Sequence, residues 1–277
     1  MQGIVEVKNV SFTYGNKIVP TVCKLNFSIH KGDFILITGQ SGCGKSTILK
    51  MLNGLIPHES GGSFSGDIYI DGKNTRDFSI ADLSSMIGLV FQSPEDQIFS
   101  ATIFDEVAFV LENMGLETEQ IKLRVQEVLR EVGLSGKEKD SIHALSGGQK
   151  QRLAVASVLA AKPRVLALDE PISQLDPVNA ENLLQVLTKL NKEHGITIIL
   201  IEHRLHEVIR VCNRMLIMET GKIVWDGSMK EALENPQIFS GHGLRLPQTI
   251  DLCSQLGIAI HKDCLLYTSP SPRDTER

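Results

Sequence analysis

Long apolar runs are missing from this chain of 277 residues. A membrane-spanning helix needs about 20 consecutive apolar residues. The longest candidates, Leu153–Ala161 and Ile196–Ile201, fall far short. The opening Met1-Gln2-Gly3-Ile4-Val5-Glu6 has no basic segment followed by an apolar one, so no secretory leader is expected. A chain neither embedded in a membrane nor secreted is the expectation. Cysteine is sparse: Cys23, Cys43, Cys212, Cys253 and Cys264 show neither a Cys-x-x-Cys pair nor metal-ligand spacing. Free thiols of a reducing cytosol are expected. Charge of one sign is not in excess either. Lysine and arginine total 28 against 33 aspartates and glutamates, a net charge of -5, which argues against nucleic acid as a partner. With 42% hydrophobic residues and a mean hydropathy of +0.00, the chain also lacks the composition of a disordered protein.

What the chain does have is alternation. Ile4–Phe12 predicts a strand, with Val5, Val7 and Val10 marking its apolar set. Asp33–Thr38 is a short apolar strand running into glycine-rich sequence, and a helix follows from near Gly44 toward Gly54. Asp71-Gly72 closes a hairpin after Asp67–Ile70, and Ile87–Phe91 is another short buried strand. From Ser93 to about Lys150 the character is helical. In Thr118–Val132, Ile121, Val125, Val128, Leu129 and Val132 share one helix face. Strands return at Val165–Leu168, Thr197–Ile201, Arg214–Met218 and Lys222–Trp225. Between the first two, a helix opens at Asp176-Pro177, an N-cap followed by proline, with the stripe Ala180, Leu183, Leu184, Leu187 and Leu190. Strand, helix and strand at this spacing predict right-handed βαβ units, a largely parallel sheet and an α/β fold split by a helical insertion.

Three segments carry chemistry. Gly39-Gln40-Ser41-Gly42-Cys43-Gly44-Lys45-Ser46-Thr47 fits G-x-x-x-x-G-K-[ST] between a strand and a helix. Such a loop turns backbone N–H groups inward around phosphate oxygens, at the positive end of the helix dipole. Lys45 would bridge the β- and γ-phosphates, and the Ser46 hydroxyl would ligate Mg²⁺. Val165–Glu170 is an apolar strand ending in two acids. An acidic pair after a strand is usually a solvated turn. Beside a phosphate loop, Asp169 is placed to hold Mg²⁺ and Glu170 to polarise the attacking water. Leu145-Ser146-Gly147-Gly148-Gln149 is a second phosphate-binding element, with Ser146 capping a helix and Gly147 and Gly148 admitting phosphate to its N-terminus. One γ-phosphate site does not easily use both elements of one chain, so two subunits head to tail are expected.

In this order the motifs resemble the nucleotide-binding subunits of ATP-binding cassette (ABC) transporters, over about Ile4 to Gly227. The resemblance implies a P-loop NTPase fold: a RecA-like core over about 1–92 and 163–227, N-terminal antiparallel strands, and a helical subdomain over about 93–162. It implies ATP and Mg²⁺ as cofactors. Gly39–Thr47 becomes the Walker A loop, Val165–Glu170 Walker B and Leu145–Gln149 the signature. Tyr14 lies where the family's adenine-stacking aromatic sits, and Gln92 occupies the Q-loop and reaches the metal. Ser173-Gln174-Leu175-Asp176 looks like the D-loop, and His203 like the switch histidine. Glu170, His203, Gln92 and Lys45 are the catalytic expectations. SQLD replaces the commoner SALD, and Cys43 fills a variable Walker A position.

Within the family, Gln92–Ser100 followed by Thr102–Phe109, and Leu52–Pro57, look like energy-coupling factor (ECF) and cobalt-type ATPases. Gly61–Gly66, read as an insertion, and Gly243–Pro247 resemble ECF ATPases with two fused cassettes. The implied partners are a second cassette, a transmembrane coupling subunit and a substrate-binding membrane subunit, with the chain peripheral on the cytoplasmic face. The implied cargo is a vitamin or a transition-metal ion. The alternative is the ATPase of a conventional ABC importer or exporter. A ribosome- or DNA-directed cassette would carry a coiled-coil insertion or basic linker, which Ser93–Lys150 lacks. Asn191-Lys192-Glu193-His194 lacks the aspartate of a guanine-reading motif. The cassette is expected over 1–240 with an extension over 241–263. Cys264–Asp274, CLLYTSPSPRD, matches the translation of a transposase sequencing adapter, so 264–277 is expected to be non-native.

Overall fold

The computed structural model describes residues 3–245 and the single positions 250, 252 and 256. Most of the 241–263 extension, the 264–277 tail, Cys253 and Cys264 lie outside the described residues.

Two sheets share the chain. An antiparallel sheet of order β2-β1-β4-β5 is built from β1 (Val5–Tyr14), β2 (Val22–Ile29), β4 (Gly62–Ile70) and β5 (Lys73–Asn74). The larger sheet has order β10-β9-β3-β8-β7-β6. It contains β3 (Phe34–Gly39), β6 (Ile87–Val90), β7 (Val165–Asp169), β8 (Thr197–Ile201), β9 (Arg214–Glu219) and β10 (Lys222–Ser228). Its pairings are parallel except the β9–β10 hairpin. The expected parallel α/β core is therefore present, closed at one edge by an antiparallel strand.

Two faces of the central strands fill two cores, because side chains alternate along a strand. Ile35, Ile37, Ala167, Ile199 and Ile201 face the antiparallel sheet and α1 (Lys45–Leu52). Phe34, Leu36, Leu166, Leu168, Ile198 and Leu200 face the helices on the other side. Buried on both faces, these strands read as continuous apolar runs. Short helices α2 (Leu55–His58) and α3 (Ile80–Ser84) flank β4 and β5. Between β6 and β7 come α4 (Ile103–Asn113), α5 (Thr118–Glu131) and α6 (Gly147–Leu159), with no described strand between them. The four α5 residues Ile121, Val125, Val128 and Leu129 are buried, as their spacing requires. After β7, α7 (Pro177–His194) leads back to β8, and α8 (Leu205–Val208) follows β8.

Two strands were not legible in the sequence. Of the segment read as an insertion, Gly61–Gly66, the part from Gly62 onward is the first half of β4, paired with β1 through Gly62–Tyr14, Ser63–Thr13, Phe64–Phe12 and Ser65–Ser11. Glycine and serine there pair with a β1 that bulges, carrying one extra residue between Lys8 and Ser11 opposite Gly66. The other strand is β2, where Val22 pairs with Phe12 but Leu25 pairs with Val10. An extra residue at this bulge, with Lys24 at φ 51°, breaks the period of two by which strands are recognised.

Candidate nucleotide site

The phosphate loop joins β3 to α1 beneath the C-terminal edge of the larger sheet. Gly39, the last residue of β3, has φ 145°, and a Cβ there would stand 2.1 Å from the Met218 carbonyl oxygen of neighbouring β9. No side chain fits. Lys45 opens α1 and is only 5% exposed. Its ammonium curls back to donate to the carbonyls of Gly39 and Gln40, both at 2.9 Å, with the Cys43 sulfur at 3.9 Å. Burial pushes the Cys43 thiol above its ordinary pKa, against the opposing charge of Lys45.

Tyr14, at the end of β1, reaches the same loop from the antiparallel sheet. Its hydroxyl lies 3.3 Å from Thr47 Oγ1, and its ring packs edge-on against Phe12 at 4.7 Å between centroids. The aromatic ring is thus tied to the first turn of α1.

Asp169 ends β7, and the Ser46 hydroxyl is among the groups that act on its carboxyl. Burial holds its carboxyl above the usual range and the neighbouring Glu170 adds to this, while Ser46 and Lys45 oppose it. One carboxylate and one hydroxyl are hard oxygen donors. The described residues contain no group of three or more histidines, cysteines or acids able to cage a metal alone. That donor set fits Mg²⁺, which binds through one or two protein oxygens plus phosphate and water.

Three adjacent strand ends converge on Glu170. Gln92 follows β6, Glu170 follows β7 and His203 follows β8. Gln92 Nε2 donates to Glu170 Oε2 at 3.1 Å, and His203 Nε2 lies 3.1 Å from Glu170 Oε1. Glu170 has φ 46°, a left-handed conformation that costs a non-glycine residue about 1–3 kcal/mol. The bond from its N–H to the Ile201 carbonyl, at 3.0 Å, helps hold it there. The Gln92 amide nitrogen is spent on Glu170, so its carbonyl oxygen is the atom that would reach a metal.

The signature lies apart from the phosphate loop. Ser146 Oγ accepts from Gln149 N at 3.3 Å, and Gln149 Oε1 accepts from Ser146 N at 2.9 Å, a reciprocal cap on α6. Among the described residues no hydrogen bond or ion pair joins Ser146–Gln149 to Gly39–Thr47. The signature's neighbour is the start of α7: a Cβ on Gly148 would meet the Asn179 side-chain oxygen at 2.4 Å. Asn179 Nδ2 in turn donates to Asp176 Oδ2 at 2.6 Å. Asp176 also caps α7 by accepting from Val178 N and Asn179 N, and these bonds hold its carboxyl below its ordinary range. In this chain Asp176 is a helix cap beside the signature, and none of its hydrogen bonds reaches the phosphate loop.

Motif reading stopped at His203 and missed its neighbours. Glu202 is 1% exposed and accepts from Ile172 N at 2.9 Å and His203 N at 3.1 Å. A carboxylate directly after the apolar run Ile198–Ile201 was the signal available.

Comparison with known proteins agrees with this geometry. The ABC transporter family profile matches residues 22–173, more than half of the chain. An ABC transporter ATP-binding protein of Methanosarcina acetivorans is 49% identical over 92% of this chain, which spans only 40% of that relative. An EcfA1 energy-coupling factor transporter ATP-binding protein of Caldanaerobacter subterraneus subsp. tengcongensis is 39% identical, with 96% of each chain covered. The solved structure of cbiO1 from Clostridium perfringens, part of the ABC transporter complex cbiONQ, superposes with a TM-score of 0.78 at 34% identity, covering 92% of this chain and 100% of that one. The cassette MJ0796, solved as a dimer bound to ADP and Pi, gives 0.71 at 31% identity over 81% of this chain and 98% of that one. Motifs, fold and relatives converge: the chain belongs to the ABC transporter family, as an ATP-binding cassette of its ATPase class.

Proposed function

We propose that the chain is the ATP-binding and hydrolysing subunit of an ECF-type importer, acting as one of two cassettes that each complete the other's nucleotide site. The observation that carries this reading is the separation of the capped signature helix from the phosphate loop within one chain. A head-to-tail pair brings Ser146, Gly147, Gly148 and Gln149 of one cassette to the γ-phosphate held by Lys45 and Ser46 of the other. The dimers formed by MJ0796 support the arrangement. The EcfA1 relative, matched along nearly its whole length, and the cbiO1 neighbour support the ECF branch.

In this reading the loop amides of Gly39–Thr47 and the Lys45 ammonium bind the phosphates, and Tyr14 stacks on the adenine. Ser46, Asp169 and the Gln92 carbonyl oxygen would hold Mg²⁺, which when bound neutralises phosphate charge. Glu170 accepts a proton from water as the water oxygen bonds the γ-phosphorus and the bond to the ADP oxygen breaks. His203 orients Glu170 and meets the γ-phosphate. The helical subdomain over about 93–162 meets the membrane partner. There Phe99 is 67% exposed and packs edge-on against exposed Phe109, with centroids 4.9 Å apart. That aromatic pair would seat a coupling helix of the transmembrane subunit, with the chain peripheral on the cytoplasmic face. No described helix is long and apolar enough to cross a membrane. A vitamin or transition-metal ion is the proposed cargo, bound by another subunit.

Capture of the tagged chain from detergent-solubilised membranes tests the branch. One coupling subunit with a small substrate-binding membrane protein supports it. A pair of conventional transmembrane domains with a soluble binding protein would assign the chain to an ordinary importer.

A further inference from the structure

Glu202, His203 and Arg204 are consecutive, and all three reach toward the turn that follows β7. His203 holds its head, through Glu170 Oε1. Glu202 accepts from the N–H of Ile172 at 2.9 Å, and from His203's own N–H at 3.1 Å. Arg204 Nη1 donates to the carbonyls of Ile172 at 2.8 Å and Leu175 at 2.9 Å, and Glu207 fixes the other end of its guanidinium. Ile172, fully buried, is thereby gripped at both its N–H and its C=O. A nearly fully buried carboxylate is costly unless its acceptors are filled, so this placement asks for a reason beyond packing. Burial pushes Glu202 up to about 7 with Glu170 reinforcing it, and the backbone donors at Ile172, His203 and Arg204 oppose that shift.

The turn leads directly to the signature. Asp176 follows Leu175, binds Asn179, and Asn179 packs on Gly148. A continuous set of contacts therefore runs from His203 through Ile172–Leu175 to the signature helix. We propose that Glu202 and Arg204 are positioning residues that clamp the Ile172–Leu175 turn to His203, so that the γ-phosphate contact made by His203 sets the placement of the Asp176–Asn179–Gly148 surface offered to the partner cassette. This inference rests on the roles given above to Glu170 and His203.

The test uses the full chain, with Glu202→Gln, Arg204→Lys and Arg204→Ala each made in the wild-type and His203→Ala backgrounds, and reads steady-state ATP turnover. In the wild-type background, Glu202→Gln and Arg204→Ala should lower kcat about tenfold or more with KM within about twofold, and Arg204→Lys should restore part of the loss. In the His203→Ala background the same changes should cost less than about twofold, since the residues act through the histidine. Equal losses in both backgrounds would mark them as merely structural and overturn the clamp, as would unchanged kcat. If His203→Ala turnover is too low to compare, ATP-driven pairing of Glu170→Gln chains is read by sedimentation. Glu202→Gln should weaken that pairing at least about fivefold without changing ATP binding to single chains, and unchanged pairing overturns the proposal. Failure of the underlying reading is seen separately, as full turnover in His203→Ala or Glu170→Gln alone.

Discussion

Glu170 and His203 face each other at 3.1 Å from the C-terminal ends of two neighbouring parallel strands, and Gln92 meets the same carboxylate from a third. The carboxylate is thus held on both oxygens by side chains whose positions the sheet register determines. In the proposed role, a group held this way loses little freedom when water is aligned against a γ-phosphate.

Replacing Glu170 by glutamine keeps the shape and both neighbours but removes the proton acceptor. ATP binding should stay within about threefold of wild type, while phosphate release falls by about 10²–10⁴-fold. Paired, ATP-loaded chains should accumulate. Turnover within a factor of ten of wild type would exclude Glu170 as the essential base.

Lys45→Ala removes a buried ammonium that the proposed function places on the phosphates. A charge-assisted hydrogen bond is worth about 1.5–3 kcal/mol, so ATP affinity should fall by roughly 10- to 100-fold. Titration of a fluorescent ATP analogue checks this, and unaltered affinity would move the phosphate site elsewhere.

Gly148→Ala places a methyl against Asn179, whose amide is held by Asp176 and does not readily yield. Overpacking of this kind costs about 1–3 kcal/mol, to be read as a lowered urea midpoint. The double variant Gly148→Ala with Asn179→Ala should regain most of that loss. A double variant no more stable than Gly148→Ala alone would show that Asn179 is not what excludes the side chain.

Glu202 gives stability a pH dependence of definite sign. Burial raises its folded pKa to about 7, above the ordinary 4.5; the Glu170 charge adds to the rise and the backbone N–H groups at Ile172, His203 and Arg204 oppose it. Between those values the folded chain holds more protons than the unfolded one, so this group's contribution is full below 4.5 and is lost as pH rises through 7. The effect is on the order of a few kcal/mol at most. Urea midpoints measured in chelator from pH 5 to 7.5 should fall more steeply for wild type than for Glu202→Gln. Parallel profiles would contradict the assignment.

Much of this architecture was legible because its signals are local. The phosphate loop and the capped start of α6 are short segments whose residue types are dictated by backbone geometry at that spot, and the acids that end β7 stand out against the apolar strand before them. The apolar runs of β3, β7 and β8 are strand-like because both faces are buried. What escaped was set by distant partners or by broken periodicity. The bulge near Lys24 hid β2, and a glycine- and serine-rich strand looked like an insertion because its pairing with β1 is not visible along the chain. Asp176 could be read as a helix cap, but its link through Asn179 to Gly148 joins two helices far apart in sequence. Glu202 lay one residue from a recognised motif, and its importance comes from Ile172, 30 residues away.

The Lys45 ammonium already has partners in its own loop, the carbonyls of Gly39 and Gln40. In the proposed reading, nucleotide capture is an exchange of ligands around that cation. Because the loop's own carbonyls fix the ammonium, little of the binding energy is spent on ordering that side chain. The same internal contacts compete with the guest, so a substitution that loosened them would tighten nucleotide binding while leaving the ammonium less fixed.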